Sequence, residues 1–469
     1  MPVLPCLTSF SLDYKKLYQF LLACQQKCLL NSCQQFVSIP MAIEQVDPLV
    51  VFENIAQVEQ LNFYFEHKGK QEATAAMDAI AQLHLQGKNR FSKVQEFIKS
   101  CQAKTVIFSN LNNIALPPRF LCSFSFFDEN GANYPFPAAT VFLPRWQITK
   151  CINFCVLVAN LVIDAKTNLE ILLDDLQNNI QNILSLDGRL NKYHLPGKLI
   201  KKDVSNIDRF KQTILSALES IQQKKLDKIV LAQTLDVLSG NDFSLYNSLN
   251  NLRQIHPNCY VFSTSNGKGQ NFIGASPERL ISIRDRQLVI DALAGSAPRG
   301  KTATEDADLA NLLLNSDKEK REHKVVIDFI TQHLQALGIE ANILSPRLRQ
   351  LCNIQHLWTP IEAKIPVNVH PLEIVAQLHP TPAVAGVSRD LACAEIRRYE
   401  DFERGLYAAP LGWVDYQGNS EFIVGIRSAL IDGDRARLYA GAGIVKGSDP
   451  DKELAEIQLK LQALLKALV

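Results

Sequence analysis

The chain has 469 residues, 47% of them hydrophobic and 21% charged, an ordinary composition for a water-soluble globular protein. Lys and Arg number 49 against 48 Asp and Glu, a net charge of +1, so bulk electrostatics point to neither a nucleic-acid nor a membrane partner. The 11 cysteines are scattered without a C-x-x-C pair, which argues against a zinc site or a redox dithiol and for reduced thiols in a cytoplasmic protein. The N-terminal MPVLPCLTSFSLDYKK lacks the basic start and apolar run of a secretory signal. The most apolar stretch, Ile152–Ile163, is interrupted by Asn153 and Asn160 and is too short to cross a bilayer.

In chain order, residues 11–35 read as a helix. FVSIPMAIEQVDPLVVFENI and NFYFEHKG read as strands with loops. Helices are expected over Ala73–Leu85 and Arg90–Lys104. Strands follow at Arg119–Gly131, Ala139–Ile148 and Phe154–Ile163, then a helix over Asn168–Leu186. LNKYHLPGKLI, around Pro196 and Gly197, reads as the linker between two halves. The second half opens with Asp208–Lys225, where Phe210, Ile214, Leu215, Leu218 and Ile221 form one apolar stripe. Asp227–Val237 is an expected strand and Phe243–Ile255 a helix. Strands are expected at YVFST, NFIGAS, ERLISIR and QLVIDALAG, and two helices over Thr304–Leu337. GLYAAPLGWVDY, EFIVGIRSALI and ARLYAGAG complete the strands before a closing helix. Hairpin-spaced strands with interspersed helices predict an α+β fold with mainly antiparallel sheets.

Several residues stand out chemically. In the closing stretch, Leu438–Lys460, Gly441 and Gly443 read as a tight turn open to a ligand, and Asp449–Pro450 as a helix start. Glu453, Glu456 and Lys460 then share one helix face, which suits an ion site and equally suits a solvated salt-bridged face. Glu319 and Glu322 repeat the same spacing. Four such carboxylates would suit Mg²⁺, and equally describe two ordinary acidic helix faces. Lys228, in DKIVLAQ, is a strand residue whose burial would make it a general base, or a strand-start lysine in water. Glu278, in GASPERL, is a possible general acid or a turn carboxylate paired with Arg279. Arg427 sits in an apolar strand and calls for a carboxylate partner, whether ligand or protein. HPTPAVAG is a rigid loop offering His379.

The order of these motifs is more specific than any one of them. KIVLA, GASPERL, ALAGS, SDKEKREH, HPTPAVAG, GLYAAPLGW, EFIVGIRSAL and YAGAGIVKGSDPDKE together resemble the chorismate-binding enzyme family, which includes anthranilate, aminodeoxychorismate, isochorismate and salicylate synthases. The resemblance covers residues 205–469 and is fainter upstream. It implies one large α/β sandwich of two mainly antiparallel sheets with the site in the central cleft, the halves 1–195 and 205–469 forming one folding unit. Lys228 matches the lysine with which isochorismate and salicylate synthases activate water. Ala294 stands where aminodeoxychorismate synthases carry a nucleophilic lysine, and Ala383 where salicylate synthases tend to carry threonine. The resemblance therefore implies an isochorismate synthase of a menaquinone or phylloquinone pathway, with salicylate synthase and a non-catalytic anion-binding relative as alternatives. It implies chorismate as substrate and no obligatory glutamine amidotransferase subunit. By the same match, Mg²⁺ is held by Glu322 and Glu456 with support from Glu319 and Glu453. Lys228 is the base and Glu278 the acid. Gly295, Ser296, His379, Ala383, Arg427, Gly443 and Lys460 line the substrate. Two positions depart from the family pattern: Gln233 and Lys320 stand where arginine is usual.

Overall fold

The computed structural model of the chain describes residues 12–108, 116–186, 199–204, 207–351 and 354–468; the expected linker around Pro196 and Gly197 lies outside them. Helix α1 (Tyr14–Asn31) starts where the Asp13 side chain accepts from Lys16 N and ends at Ser32 in the left-handed region. Strand β1 (Gln35–Ile43) leads into α2 (Pro48–Ile55), capped by Asp47 with proline in its first turn. There follow β2 (Asn62–His67), β3 (Glu72–Leu85), α3 (Arg90–Ala103), β4 (Thr105–Ile107), β5 (Arg119–Phe124), β6 (Ala139–Lys150), β7 (Cys155–Ile163) and α4 (Leu169–Leu184). Next come β8 (Leu199–Val204), α5 (Ile207–Gln222), β9 (Lys228–Ser239), α6 (Leu245–Ile255), β10 (Tyr260–Ser265), β11 (Asn271–Ser276), β12 (Arg279–Arg284), β13 (Gln287–Pro298), α7 (Ala303–Asn315) and α8 (Asp317–Gln335). The last third holds β14 (Ala341–Ile343), β15 (Arg347–Gln350), β16 (Ile354–Lys364), α9 (Pro371–Leu378), α10 (Arg389–Tyr399), β17 (Pro410–Asp415), β18 (Ser420–Val424), β19 (Ser428–Asp432), β20 (Arg435–Val445) and α11 (Pro450–Leu468).

The strands make two sheets joined through β6. One runs β8-β9-β20-β19-β11-β10-β2-β3-β6-β7-β1-β4 and the other β5-β17-β18-β12-β13-β16, with β14 and β15 along the far edge of β16. One edge of β6 follows β3, while its opposite edge pairs with β5 over Ala139–Phe142 and with β7 over Trp146–Lys150. Among the described residues every pairing is antiparallel except β1 with β4. The fold is thus the expected mixture of helices and antiparallel sheet. Its two halves interleave, since β2 pairs with β10 and β5 with β17.

Some expectations are corrected. Ala73–Leu85 is a strand, not a helix. Its alanines favour a helix in isolation, but β3 is paired along both edges, by β2 and β6, and tertiary pairing overrides propensity. Ala75 and Ala76 are fully buried there. At Asp78, φ is +57°, and the register with β6 shifts just beyond; the side chain accepts from Ala79 N and pairs with Arg145 at 2.7 Å. The segment PLVVFENI is helical, because Asp47 and Pro48 start a helix that buries Leu49 to Phe52. The strands β14–β16 and helices α9 and α10 had no sequence expectation.

Candidate active site

Two helices and two strands build one concave wall. Helix α8 packs on β13, and α11 packs on β20. The start of α8 is fixed by Ser316, whose hydroxyl accepts from Glu319 N at 3.3 Å. The start of α11 is fixed by Asp449, which accepts from the N–H groups of Asp451 and Lys452. Each capped helix presents its glutamate pair, Glu319 with Glu322 and Glu453 with Glu456, to the same cavity of about 380 Å³. Lys228, Glu278, Gly295, Ser296, Ala383, Arg427, Gly443 and Lys460 line that cavity too.

Lys228 is the first residue of β9 and is 4% exposed. Its Nζ lies 2.6 Å from Glu322 Oε1. On the neighbouring strand β20, Val445 pairs with Lys228 and Gly443 with Val230, two residues further along. A Cβ at Gly443 would stand 3.1 Å from Lys228 Cε and 3.3 Å from Glu322 Oε1, so the missing side chain makes room for this pair. Gly441 and Gly443 lie inside the strand, not in a turn as expected; the turn is made at Gly447, where φ is +87°. Burial pushes the Glu322 carboxyl up, but the Lys228 ammonium overcomes it and holds the group below the ordinary range.

Glu278 lies between β11 and β12 and is 4% exposed. Burial first, and the Asp291 carboxylate second, push its carboxyl up to about 8, against the pull of Lys228 and Arg349. It is therefore a carboxylic acid at neutral pH, while Glu322 is a carboxylate. One cavity thus holds a proton donor and an ion-paired lysine.

The far side is organised by His356 on β16, which the sequence reading missed. Its Nε2 lies 3.1 Å from Arg427 Nη2 and its Nδ1 lies 2.9 Å from Ser296 Oγ. Burial, then the Arg427 charge, keep the ring neutral. A guanidinium only donates, so Nε2 accepts and Nδ1–H donates to Ser296 Oγ. The Ser296 hydroxyl proton is left to donate to a ligand. Arg427 is in the left-handed region at φ +51°, between β18 and β19 and not within a strand as expected. Gly295 makes the kink that turns Ser296 inward: φ is +78°, the register with β16 shifts there, and a Cβ would meet Glu319 Oε2 at 3.0 Å. Lys460 Nζ donates to Gly441 O at 2.9 Å and pairs with Glu456 at 2.7 Å, tying α11 to β20.

His379 does not line the cavity. It is buried, with Nε2 at 3.0 Å from Phe126 O and its ring against Phe126 and Phe91. Its apolar surroundings make it a packing residue of the loop after α9. His323, beside Glu322, turns away to Thr359 Oγ1 at 2.8 Å.

The carboxylates are crowded. Burial and then Glu322 push the Glu319 carboxyl up; burial likewise raises Glu453, with Glu456 adding to it and a hydrogen bond from Ser448 opposing. Among the described residues no three His, Cys, Asp or Glu side chains converge tightly enough to hold an ion unaided. Lys228, Lys318 and Lys460 already pair with Glu322, Glu319 and Glu456, yet the four carboxylates beside an open cavity are hard oxygen donors of the kind that Mg²⁺ accepts together with water and ligand oxygens.

Comparison with known proteins shows the family. A family model described as chorismate binding enzyme matches residues 21–469. This chain belongs to the chorismate-binding enzyme family. Isochorismate synthase MenF of Bacillus subtilis is 30% identical over 442 residues, 92% of this chorismate-binding chain and 93% of the relative. The salicylate biosynthesis isochorismate synthase of Pseudomonas aeruginosa is 41% identical over 256 residues, which span 54% of this chain and 53% of that protein. Among solved structures, the menaquinone-specific isochorismate synthase MenF of Escherichia coli superposes with a TM-score of 0.77 at 27% identity, covering 96% of this chain and all of that one. Anthranilate synthase component I of Streptococcus pneumoniae shares the fold, with a TM-score of 0.69 at 17% identity. No helix of the described residues of this chorismate-binding enzyme is long and apolar enough to cross a membrane.

Proposed function

We propose that the protein is an isochorismate synthase, an isomerase that converts chorismate to isochorismate by adding water at ring carbon C2 with loss of the C4 hydroxyl. The observation that carries this reading is that Lys228 and Glu278, both buried, face one cavity beside the crowded carboxylates. Relatives named isochorismate synthase support it. So does the presence of the lysine that ammonia-using members of the family generally lack.

Lys228 takes a proton from the attacking water only as the neutral amine, so Nζ must first give up its own proton and its ion pair with Glu322. Glu278, held protonated by burial and Asp291, donates to the departing hydroxyl as the ring double bonds shift. Arg427 and the Ser296 hydroxyl, set by His356, bind substrate carboxylate oxygens and fix the ring between acid and base. Lys460 holds α11 against β20 and thereby sets the position of Glu456. Glu322 and Glu456 would hold Mg²⁺ with support from Glu319 and Glu453, and the ion would supply positive charge for the ring carboxylate of chorismate. The product enters menaquinone or phylloquinone synthesis in a cytoplasmic setting; the menaquinone-specific relative, similar along almost the whole chain, favours the former.

The test is the product formed from chorismate and Mg²⁺, resolved by chromatography with and without ammonia. Isochorismate in both cases is expected. Salicylate with pyruvate, or turnover that requires ammonia, overturns the reading.

A further inference from the structure

The peptide that carries Glu278 is fixed from three sides. Glu278 N donates to Ser276 Oγ at 3.2 Å, and its carbonyl accepts from Val424 N at 3.1 Å. The carbonyl of Pro277, one residue earlier, accepts from Arg349 Nη1 at 2.5 Å. The same nitrogen donates to Asp291 Oδ2 at 3.2 Å, and the Arg349 guanidinium lies over the Trp358 ring at 4.5 Å. Asp291 is 3% exposed; its Oδ1 accepts from Arg279 Nη2 at 2.7 Å and from Trp358 Nε1 at 2.9 Å. Neither Asp291, Arg349 nor Trp358 lines the cavity.

We propose that Arg349, set between Asp291 and Trp358, is a positioning residue for Glu278: it holds the peptide bearing the acid and balances the carboxylate beside it. This rests on Glu278 being the general acid. A guanidinium suits both tasks, since its fork donates in two directions while its face lies on an indole; an ammonium is a point charge. The charged groups that act on Glu278 come from three strands. Asp291 on β13 pushes its carboxyl up, adding to burial, while Lys228 on β9 and Arg349 on β15 pull it down. The pair therefore acts on the acid in opposite senses, and removing each partner has a signed consequence.

The experiment is the pH dependence of kcat for Arg349→Gln, Asp291→Asn and Arg349→Lys, with Glu278→Gln as reference and thermal melts as the folding control. The basic limb marks the loss of the proton that Glu278 must donate. Arg349→Gln is expected to move this limb up, and Asp291→Asn to move it down, each by about one pH unit. Arg349→Lys keeps the charge, so the limb stays, while kcat falls about tenfold with KM unchanged because the grip on Pro277 is lost. Limbs of Arg349→Gln and Asp291→Asn that stay fixed, or that move in the same direction, overturn the proposal, as does Arg349→Lys with wild-type kcat. If Arg349→Gln does not fold, the other two variants decide by the same criteria. A fully active Glu278→Gln refutes the general-acid reading itself; an inactive one, together with unmoved limbs in Arg349→Gln and Asp291→Asn, refutes only the role of Arg349.

Discussion

Gly443→Ala tests the geometry of the base with a single methyl group. Gly443 is inside β20 and does not have a positive φ, so its backbone accepts alanine. The new Cβ would stand 3.1 Å from Lys228 Cε and 3.3 Å from Glu322 Oε1. Carbon atoms pack best at about 3.5–4.0 Å, so the lysine must yield by about 0.5 Å. A displacement of about 1 Å in an active site can cost about a hundredfold in rate, which makes about tenfold, or about 1.4 kcal/mol of barrier, the expectation here. The assay is isochorismate formation by chromatography at saturating chorismate and Mg²⁺, with thermal unfolding in parallel. We expect kcat down about tenfold and a melting temperature within about 2 °C of wild type. A Gly443→Ala enzyme with kcat within about twofold of wild type refutes the claim that Lys228 must sit where it does.

Other expectations concern the acid, the carboxylate cluster and the chain as a whole. Glu278→Gln should lose about 10²–10⁴ in kcat, measured by the same chromatography. Because the folded-state carboxyl is raised to about 8, its stabilising contribution is complete below the ordinary carboxyl range and is lost as pH rises through about 8. Glu278→Gln should accordingly melt higher than wild type at pH 9, with the gap closing toward pH 4; equal melting at both pH values would contradict the shift. Chelation should abolish turnover, and Glu456→Gln should raise the Mg²⁺ concentration for half-maximal rate about tenfold or more; an unchanged Mg²⁺ titration would remove Glu456 from the ion site. We propose that the two halves fold as one unit, so residues 205–469 expressed alone should be insoluble or molten; a sharp thermal transition in that fragment would show otherwise.

The parts legible in the sequence are those where local chemistry and tertiary structure agree. Of the expected stripe, Phe210, Ile214 and Ile221 are buried in α5 and Leu218 partly so, while Leu215 is exposed; Asp449 caps α11 as its side chain and the following proline suggest. The Glu-x-x-Glu spacings could be read as same-face pairs because helical period alone determines that. What period cannot say is which faces meet, and the shared cavity was implied only through the order of motifs. The misses have physical causes. Ala73–Leu85 has helix-favouring residues but two partner strands. His379 is in a motif-like loop yet is enclosed by phenylalanine rings, so its sequence setting said nothing of its direction. His356 is a lone histidine in a short apolar run, IQHLW, and gains meaning only from Ser296 across the sheet and Arg427 from another strand end. Gly441 and Gly443 look like turn residues because glycine is commoner there; here they serve side-chain clearance.

The pairing of β5 with β17 also bears on how the chain is made. β5 leaves the ribosome with one edge bare, and the strand that covers it is synthesised roughly 290 residues later, about 15–60 s at ordinary elongation rates. Over that interval the outer edge of β5 has no partner strand, and Phe124, which stacks on the earlier Phe91, still lacks Phe422. Nascent chains stalled before Pro410 should therefore bind holdase chaperones and resist aggregation poorly, and slower translation should lengthen the exposure, not relieve it.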